Sequence, residues 1–403
     1  MWRPRWTRAA SRTSTWGPRP GCAGTSPSRP HGTTERREHT HTMRTAAVIG
    51  TGLIGTSIAL ALSARGVSVH LRDRDQATVR TASALGAGTE EAPDGPVELA
   101  VVAAPPAHVG RTLAQVQAEG LAHSYLDVAS VKGGPGRELA ELGCDLSRYV
   151  GSHPMAGKER SGPLAASPDL FEGRPWVLTP TRETSTDTLN LALELVALCR
   201  AVPVVMDAAE HDRAVALVSH TPHLLASMVA ARLEHAADSA VRLAGQGVRD
   251  VTRIAASEPA MWIDILAANA GPVADVLADL AEDLQRTVGA LRELQSADED
   301  KRRDGVSGIE DVLRRGNAGR ARIPGKHGTA PARYEVVAVL IGDRPGELAR
   351  VFADAGRAGV NIEDVRIEHS TGQRAGLVQL MVAPAVATSL ASALVERGWN
   401  VRS

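Results

Sequence analysis

The chain of 403 residues carries 45 Lys and Arg against 46 Asp and Glu, which gives a formal net charge of −1. Its length indicates two or three domains, and the balanced charge argues against nucleic acid or an acidic membrane surface as the main partner. No apolar run reaches the roughly 20 residues of a membrane helix. The three cysteines form no CxxC pair, which fits a cytoplasmic protein without structural zinc.

Residues 1–42 have the composition of a disordered segment. They are rich in Arg, Pro, Ser, Thr and Gly, and they lack the apolar stretch of a secretory signal. Met43 comes directly before the first apolar strand. We therefore predict a disordered N-terminal extension over 1–42, and we interpret Met43 as the true start of the protein.

The first predicted strand leads into a turn typical of dinucleotide-binding proteins. The turn reads Gly50-Thr51-Gly52-Leu53-Ile54-Gly55. Its glycines permit the tight turn and the close approach of a pyrophosphate, whose charge meets the N-terminus of the next helix. Asp73 follows the second strand, where a carboxylate bonds a ribose 2′-hydroxyl and repels a 2′-phosphate. The pattern favours NAD, although Arg72 and Arg74 leave NADP open.

Strands alternate with helices through residues 43–180, which predicts a parallel, doubly wound sheet. Ligands of such sheets bind at the carboxyl ends of the strands, where Ser130 and His153 are expected. Pro154 restricts the conformation of His153, so we place this histidine on a constrained loop, 151–162. A side chain with a pKa of about 6.5 can accept a proton near neutrality. Alternatively, Ser130 caps a helix and His153 donates a hydrogen bond to a backbone carbonyl.

Residues 181–300 are predicted to form a helical domain. Thr221 and Pro222 have the pattern of an N-cap and a first helical position. His223 would then lie in the first turn, where the helix dipole favours a neutral imidazole that donates to an anion. Arg253 is either a surface residue at a helix end or a bidentate clamp for a carboxylate.

The last third of the chain contains three further segments. An apolar stripe at three- and four-residue steps over 273–294 is typical of a helix that packs against another subunit, so we expect a homodimer. Residues 301–332 are basic, rich in glycine and aperiodic, and we predict a linker. Residues 333–403 show a βαββα pattern, with only 400–403 left for a closing strand.

The order of the motifs resembles the prephenate/arogenate dehydrogenases of tyrosine biosynthesis. The segments that carry the resemblance are GTGLIG, DVASVKG, GSHPMAGKE, SHTPH and RDVTRIAASEPAMW, which begin at residues 50, 127, 151, 219 and 249. From residue 343, DRPGELARVFADAGRAGVNI is similar to an ACT domain, a small amino-acid-sensing module. The resemblance implies an α/β Rossmann-like parallel sheet domain, an all-α dimerisation domain and a small α+β, ferredoxin-like ACT domain.

This resemblance implies NAD-dependent oxidative decarboxylation of prephenate to 4-hydroxyphenylpyruvate. His153 matches the catalytic histidine that takes the proton of the ring hydroxyl, and Ser130 matches the serine that shares this hydroxyl and orients the histidine. Arg253 matches the arginine that binds a carboxylate, and His223 matches the histidine at the substrate side chain. Glu159 matches an acidic residue at the entrance. Arogenate, which would give tyrosine directly, is the alternative substrate.

In the tail, Asp343, Gly346 and Asn361 match positions that contact an amino-acid effector in other ACT domains, and tyrosine or phenylalanine is the expected effector. Two other functions stay open. One is a non-catalytic amino-acid sensor that keeps the nucleotide fold. The other is a hydroxyacid dehydrogenase, although a decarboxylating site needs the two carboxylate anchors that His223 and Arg253 would supply.

Overall fold

The structure, a computed structural model, describes residues 43–158, 160–323, 334–342, 344–369 and 375–402. The predicted extension 1–42, Glu159 and Asp343 lie outside the described residues. The described chain forms a seven-stranded sheet, a helical region and a four-stranded sheet, in that order.

The larger sheet confirms the Rossmann-like fold. Its strands are β1 (Thr45–Ile49), β2 (Ser68–Arg72), β3 (Val97–Val102), β4 (Ala122–Asp127), β5 (Tyr149–Pro154), β6 (Pro175–Thr179) and β7 (Val202–Val205). The helices between them are α1 (Leu53–Ser63), α2 (Gln76–Ala84), α3 (Pro106–Ala118), α4 (Gly133–Glu141) and α5 (Thr186–Leu198). The strand order is β2-β1-β3-β4-β5-β6-β7, and β1 to β5 are parallel.

Two details of the sheet differ from the prediction. β6 runs antiparallel to β5. A parallel return usually runs through a crossover helix, and the described part of this connection holds only the three-residue turn Pro163–Ala165 as helix. The predicted boundary at 180 is also too early. β7 pairs parallel with β6 through the crossover helix α5, so the sheet extends to Val205.

Both faces of the sheet are buried, which explains its nearly continuous apolar strands. Along β1, Ala46 and Val48 face a core that includes Ile58 of α1. The alternate residues Ala47 and Ile49 face the second core beneath α3. Because successive side chains point to opposite faces, helices on both sides fix the position of the carboxyl edge.

The region after the sheet is helical. Its helices are α6 (Ala208–Val215), α7 (Thr221–Ala231), α8 (Asp238–Val241), α9 (Gln246–Thr252), α10 (Pro259–Ala268), α11 (Ala270–Glu293) and α12 (Glu299–Ala321). A π-helical turn, Ala216–His220, joins α6 to α7 without a break.

The predicted helix start at Thr221 is wrong. His220 has helical dihedral angles, and the Thr221 hydroxyl is buried without a hydrogen-bond partner among the described residues. Pro222 cannot donate a helical hydrogen bond, and the wider π turn just before it accommodates this loss. His223 therefore lies inside a continuous helix, and the dipole of a helix N-terminus does not act on it.

The continuous helix Ala208–Ala231 is long and apolar enough to cross a membrane by length and composition alone, and 33% of an apolar 18-residue stretch within it is buried. Core helices of soluble proteins can have the same length and composition. This helix holds the buried polar residues Asp212 and His220, and Asp212 bonds to the sheet domain.

The predicted linker is also wrong over most of its length, since α12 spans Glu299–Ala321. Asp298 caps this helix by accepting the backbone N–H groups of Asp300 and Lys301. Gly305 lies against α11, where an added Cβ would approach the Ala290 carbonyl oxygen to 2.7 Å. Gly305, one of the glycines on which the linker prediction rests, thus lets α12 and α11 approach closely.

The tail forms an antiparallel sheet with the strand order β11-β8-β10-β9. Its elements are β8 (Glu335–Gly342), α13 (Glu347–Arg357), β9 (Asp364–His369), β10 (Ala375–Val382), α14 (Pro384–Glu396) and β11 (Asn400–Arg402). The short β11 pairs with β8, so the few terminal residues do supply the closing strand. This strand order and the two crossover helices give a ferredoxin-like βαββαβ fold.

We expect Gly305→Ala to lower the free energy of unfolding, because overpacking costs about 1–3 kcal/mol and exceeds the gain of about 0.5–1 kcal/mol for replacing glycine within a helix. Gly316→Ala is the matched control on α12, since its added Cβ would meet nothing within 4 Å. It should raise stability. Chemical denaturation of both variants measures the difference, and equal shifts would contradict this packing account.

Candidate active site

A cleft of about 2220 Å³ opens at the carboxyl edge of the larger sheet. The glycine-rich turn lines one end of it. The other sequence-predicted residues that line the cleft are Asp73, Ser130, His153, His223 and Arg253. The fold therefore brings Gly50 and Arg253, which are far apart in the sequence, into one cavity.

The three glycines of the turn have different physical roles. Gly50 has a φ of +103°, and its added Cβ would lie 2.3 Å from the Ala103 carbonyl oxygen. A Cβ on Gly55 would lie 1.9 Å from the Gly50 oxygen. A Cβ on Gly52 would meet no protein atom within 4 Å, and no side chain caps α1, which begins at Leu53. The fold thus requires Gly50 and Gly55, whereas Gly52 and the following amides leave room for a phosphate.

Asp73 is held at the end of β2. Its carboxylate accepts the backbone N–H of Thr51 at 2.6 Å and that of Asp75 at 3.0 Å. The neighbouring Arg72 donates to Glu119 at 2.6 Å, and these bonds raise the pKa of Arg72 despite its partial burial. The position fits a carboxylate that meets a ribose hydroxyl, while Arg72 already has an anionic partner.

His153 lies on strand β5 rather than on the predicted loop. It pairs with Val177 of the antiparallel strand β6, and Pro154 ends β5. The His153 Nδ1 atom lies 2.9 Å from Nε2 of His211. Burial, followed by the nearby His211, Lys132 and His220, holds the pKa of His153 well below its ordinary value, so the ring is a neutral base at neutral pH.

His211 and Asp212 are site residues that the sequence did not reveal. His211 Nδ1 lies 2.9 Å from Asp212 Oδ1, and the Asp212 carboxylate accepts the backbone N–H groups of Lys132 and Gly133. Among the described residues, His211 rather than Ser130 is the hydrogen-bond partner of the His153 ring. No local pattern indicates a contact across 58 residues.

A buried charged cluster lies behind this histidine pair. The Lys132 ammonium is paired with Asp127, and both side chains are fully buried. Asp127 also accepts the Tyr149 hydroxyl at 2.7 Å and the Ala129 N–H at 2.8 Å. Burial lowers the pKa of Lys132, partly offset by Asp127 and Asp212. These bonds fix the turn that follows β4, and Ser130 is on that turn.

His223 and Arg253 form the other wall of the cleft. The His223 ring stacks on Trp262 with 3.6 Å between centroids, and its Nε2 lies 3.0 Å from the Ser257 hydroxyl. Burial lowers the pKa of His223, which favours its neutral form. The helix-dipole reason expected from the sequence does not apply, because His223 lies inside a continuous helix. Arg253 is the first residue of a short 3-10 turn, Arg253–Ala255. It also lines the cleft, so its guanidinium adds a cationic group to this wall.

Two family models match consecutive parts of the chain. The prephenate dehydrogenase nucleotide-binding domain matches residues 58–205, and the prephenate dehydrogenase dimerization domain matches residues 207–303. NovF of Streptomyces niveus, a probable prephenate dehydrogenase, is 44% identical over 365 residues, which are 90% of this chain and 100% of that protein.

Two further proteins are similar over most of their length. Prephenate dehydrogenase of Bacillus subtilis (strain 168) is 28% identical over 353 residues, which are 83% of this chain and 91% of that protein. The crystal structure of prephenate dehydrogenase from A. aeolicus, in complex with hydroxyphenyl propionate and NAD+, has a TM-score of 0.59 and 26% identity. It covers 69% of this chain and 99% of its own.

We expect Gly52→Ala to weaken NAD binding at least about tenfold, a loss of about 1.4 kcal/mol, while unfolding changes by less than about 1 kcal/mol. The reason is that the added Cβ would extend into the open cleft, where NAD is expected, without meeting any protein atom within 4 Å. Gly55→Ala is the matched control, and it should lose stability. Fluorescence titration with NAD and chemical denaturation measure both quantities. A stable Gly52→Ala variant with unchanged NAD affinity would refute the assigned role.

Proposed function

The chain belongs to the prephenate dehydrogenase family, and we propose that it oxidatively decarboxylates prephenate to 4-hydroxyphenylpyruvate with NAD. One observation carries the proposal. A single cleft joins a dinucleotide turn to a neutral histidine base, His153, and to the opposite wall of His223 and Arg253. The decarboxylating reaction needs these three functions together.

We assign the proton transfer to His153. Its Nδ1 is held by His211, which leaves Nε2 to take the proton of the ring hydroxyl. Ser130 lines the same cleft, and we assign it a hydrogen bond to this hydroxyl. NAD, when bound, supplies the acceptor for the hydride of the hydroxyl-bearing carbon. Carbon dioxide leaves the opposite ring carbon, and the ring becomes aromatic.

We assign substrate binding to the wall of the helical region. Arg253 offers a planar, permanently charged group for a carboxylate. The neutral His223 ring, fixed by Trp262 and Ser257, is placed to bond the substrate side chain. Rigid placement of this kind makes a reaction effectively unimolecular. Glu159, outside the described residues, keeps the proposed role at the entrance.

Arogenate is the second candidate substrate, because it differs from prephenate only in an amino group in place of the side-chain keto group. Glu258 lines the cleft next to Ser257 and would suit the ammonium of arogenate. The ratio of kcat/KM for the two substrates distinguishes them, and we expect prephenate to have the higher value.

We further propose a homodimer formed through the helical region. The matching family model is a dimerization domain. The continuous helix exposes Leu217, Val218 and Met228, each more than half accessible. Apolar surface of this kind, gathered on one helix, is typical of a subunit interface.

We also propose that the tail is an ACT domain that binds tyrosine or phenylalanine. The support is its ferredoxin-like strand order and the turn at Gly346, which has a φ of +89° and precedes α13. Asn361, exposed on the following loop, donates to Glu363 at 2.6 Å. Backbone amides at a helix start suit an effector carboxylate. Asp343, outside the described residues, keeps the proposed role toward the ammonium group.

We expect the wild-type chain to form NADH and carbon dioxide in equal amounts from prephenate. His153→Asn should lower kcat by about 10²–10⁴-fold, the usual contribution of a general base, and leave NAD affinity unchanged. Stopped-flow absorbance and NAD titration measure these values. Absence of turnover by the wild type would refute the proposed function, and a kcat for the variant close to that of the wild type would refute the role of His153.

We expect the acid limb of the pH profile of kcat/KM to lie below the pH of about 6.5 of an ordinary histidine. His153 must be unprotonated to act, so activity is lost as pH falls through its pKa, and burial together with the nearby His211, Lys132 and His220 lowers this pKa. Rates between about pH 5 and 8 test the direction. An acid limb above the ordinary histidine value contradicts it.

We expect tyrosine or phenylalanine to inhibit the whole 403-residue chain, with a coupling of about 1–3 kcal/mol. Asn361→Ala should weaken inhibition without changing kcat in the absence of effector. Glu396→Gln, exposed at the end of α14, is the control and should be inhibited like the wild type. Calorimetric titration that detects neither amino acid would refute the regulatory role.

A further inference from the structure

A continuous chain of hydrogen bonds runs from the backbone at the start of α4 to the proposed base. The Asp212 carboxylate accepts the N–H groups of Lys132 and Gly133 at 2.8 Å each. Its Oδ1 lies 2.9 Å from His211 Nδ1, and His211 Nε2 lies 2.9 Å from His153 Nδ1. The chain therefore links three elements, α4, α6 and β5.

The chemistry of each group sets the direction of these bonds. An ionised carboxylate only accepts hydrogen bonds, so His211 must carry its proton on Nδ1. The other nitrogen of a neutral imidazole is then an acceptor. His153 must consequently donate from Nδ1, which leaves the lone pair of His153 on Nε2. The positions of the protons follow from the heavy-atom partners.

We propose that Asp212 and His211 are positioning residues that fix the tautomer of His153 and so present its unprotonated Nε2 to the substrate hydroxyl. This inference rests on the proposed function, because it concerns the same proton transfer. Without His211, the two neutral tautomers of His153 would compete, and the form with a proton on Nε2 cannot act as a base.

The proton balance is simple. The hydroxyl proton forms a new N–H bond at Nε2, and His153 becomes an imidazolium with protons on both nitrogens. Its Nδ1–H continues to donate to His211. The Asp212 carboxylate lies on the far side of His211, and its negative charge stabilises this positive charge. Fixed partners of this kind stabilise developing charge without reorganisation. When carbon dioxide leaves, the electron pair of the broken C–C bond passes through the ring to the oxygen, which takes the proton back from Nε2 and restores the neutral base.

Burial protects this chain of hydrogen bonds from water. His211 is 1% exposed and Asp212 is 8% exposed, so water does not compete for their bonds. Asn269 donates to the backbone oxygen of Asp212 at 2.8 Å, which holds α6 in place. The other titratable groups nearby are engaged elsewhere, since Lys132 is paired with Asp127 and His220 contacts Asn269.

The test compares two variants at one position in the whole chain. His211→Phe keeps a planar ring but removes the acceptor, and it should lower kcat by about 10- to 100-fold, part of the contribution of a general base. The KM for prephenate should stay within about threefold, since a loss confined to the transition state appears in kcat. His211→Gln offers an amide oxygen to His153 and an amide N–H to Asp212, so it should recover most of the lost kcat.

Glu210→Gln, an exposed neighbour on α6, is the control and should retain wild-type kcat. Melting temperature and NAD affinity show which variants are folded. If the Phe variant does not fold, the Gln variant carries the test, and its kcat must stay within about tenfold of the wild type. Wild-type kcat for the Phe variant, or equal losses for both folded variants, would overturn the inference. A wild type without turnover would instead refute the proposed function.

Discussion

The buried carboxylate of Asp212 is the constraint on which the site depends. Burial alone would raise its pKa, but hydrogen bonds from His211 and from the backbone of Lys132 and Gly133 outweigh burial and lower it. A buried charge is tolerated only when its partners are complete. Meeting this requirement joins the helical region to the sheet, because Asp212 belongs to α6 and the two amides lie at the start of α4. The same bonds place His211 beside His153, so one desolvated group determines both the docking of two regions and the orientation of the base.

The rest of the cleft separates residues that build the fold from residues left for ligands. Gly50 and Gly55 are required by backbone contacts, whereas Gly52 borders only the cleft. On the helical side, the stacked Trp262 fixes the His223 ring, and burial keeps that ring neutral. Groups already immobilised in this way lose little freedom when a substrate binds. The cleft is thus preorganised from two sides, by the carboxyl edge of the sheet and by α7 with α10.

Much of this architecture could be predicted from the sequence because the signals are local. The glycine turn, the strand before it and Asp73 lie within one βαβ unit, and the resemblance places His153, His223 and Arg253 in one site. The failures have physical reasons. Nothing local shows that Pro222 continues a helix through a π turn, or that glycines in α12 serve close packing rather than flexibility. His211 became part of the site only through a contact between β5 and α6, and sequence periodicity carries no information on such long-range contacts.

The tautomer of His153 tests this account most directly. The protein contains 13 histidines, and two-bond ¹H–¹⁵N correlation spectra of histidine-labelled protein distinguish protonated from unprotonated ring nitrogens. The His153 signals are those that disappear in His153→Asn. At about pH 8, where an ordinary histidine is neutral, we expect a protonated Nδ1 and an unprotonated Nε2. A His153 ring that carries its proton on Nε2 would contradict the account, because Nε2 would then have no lone pair to accept the proton of the substrate hydroxyl.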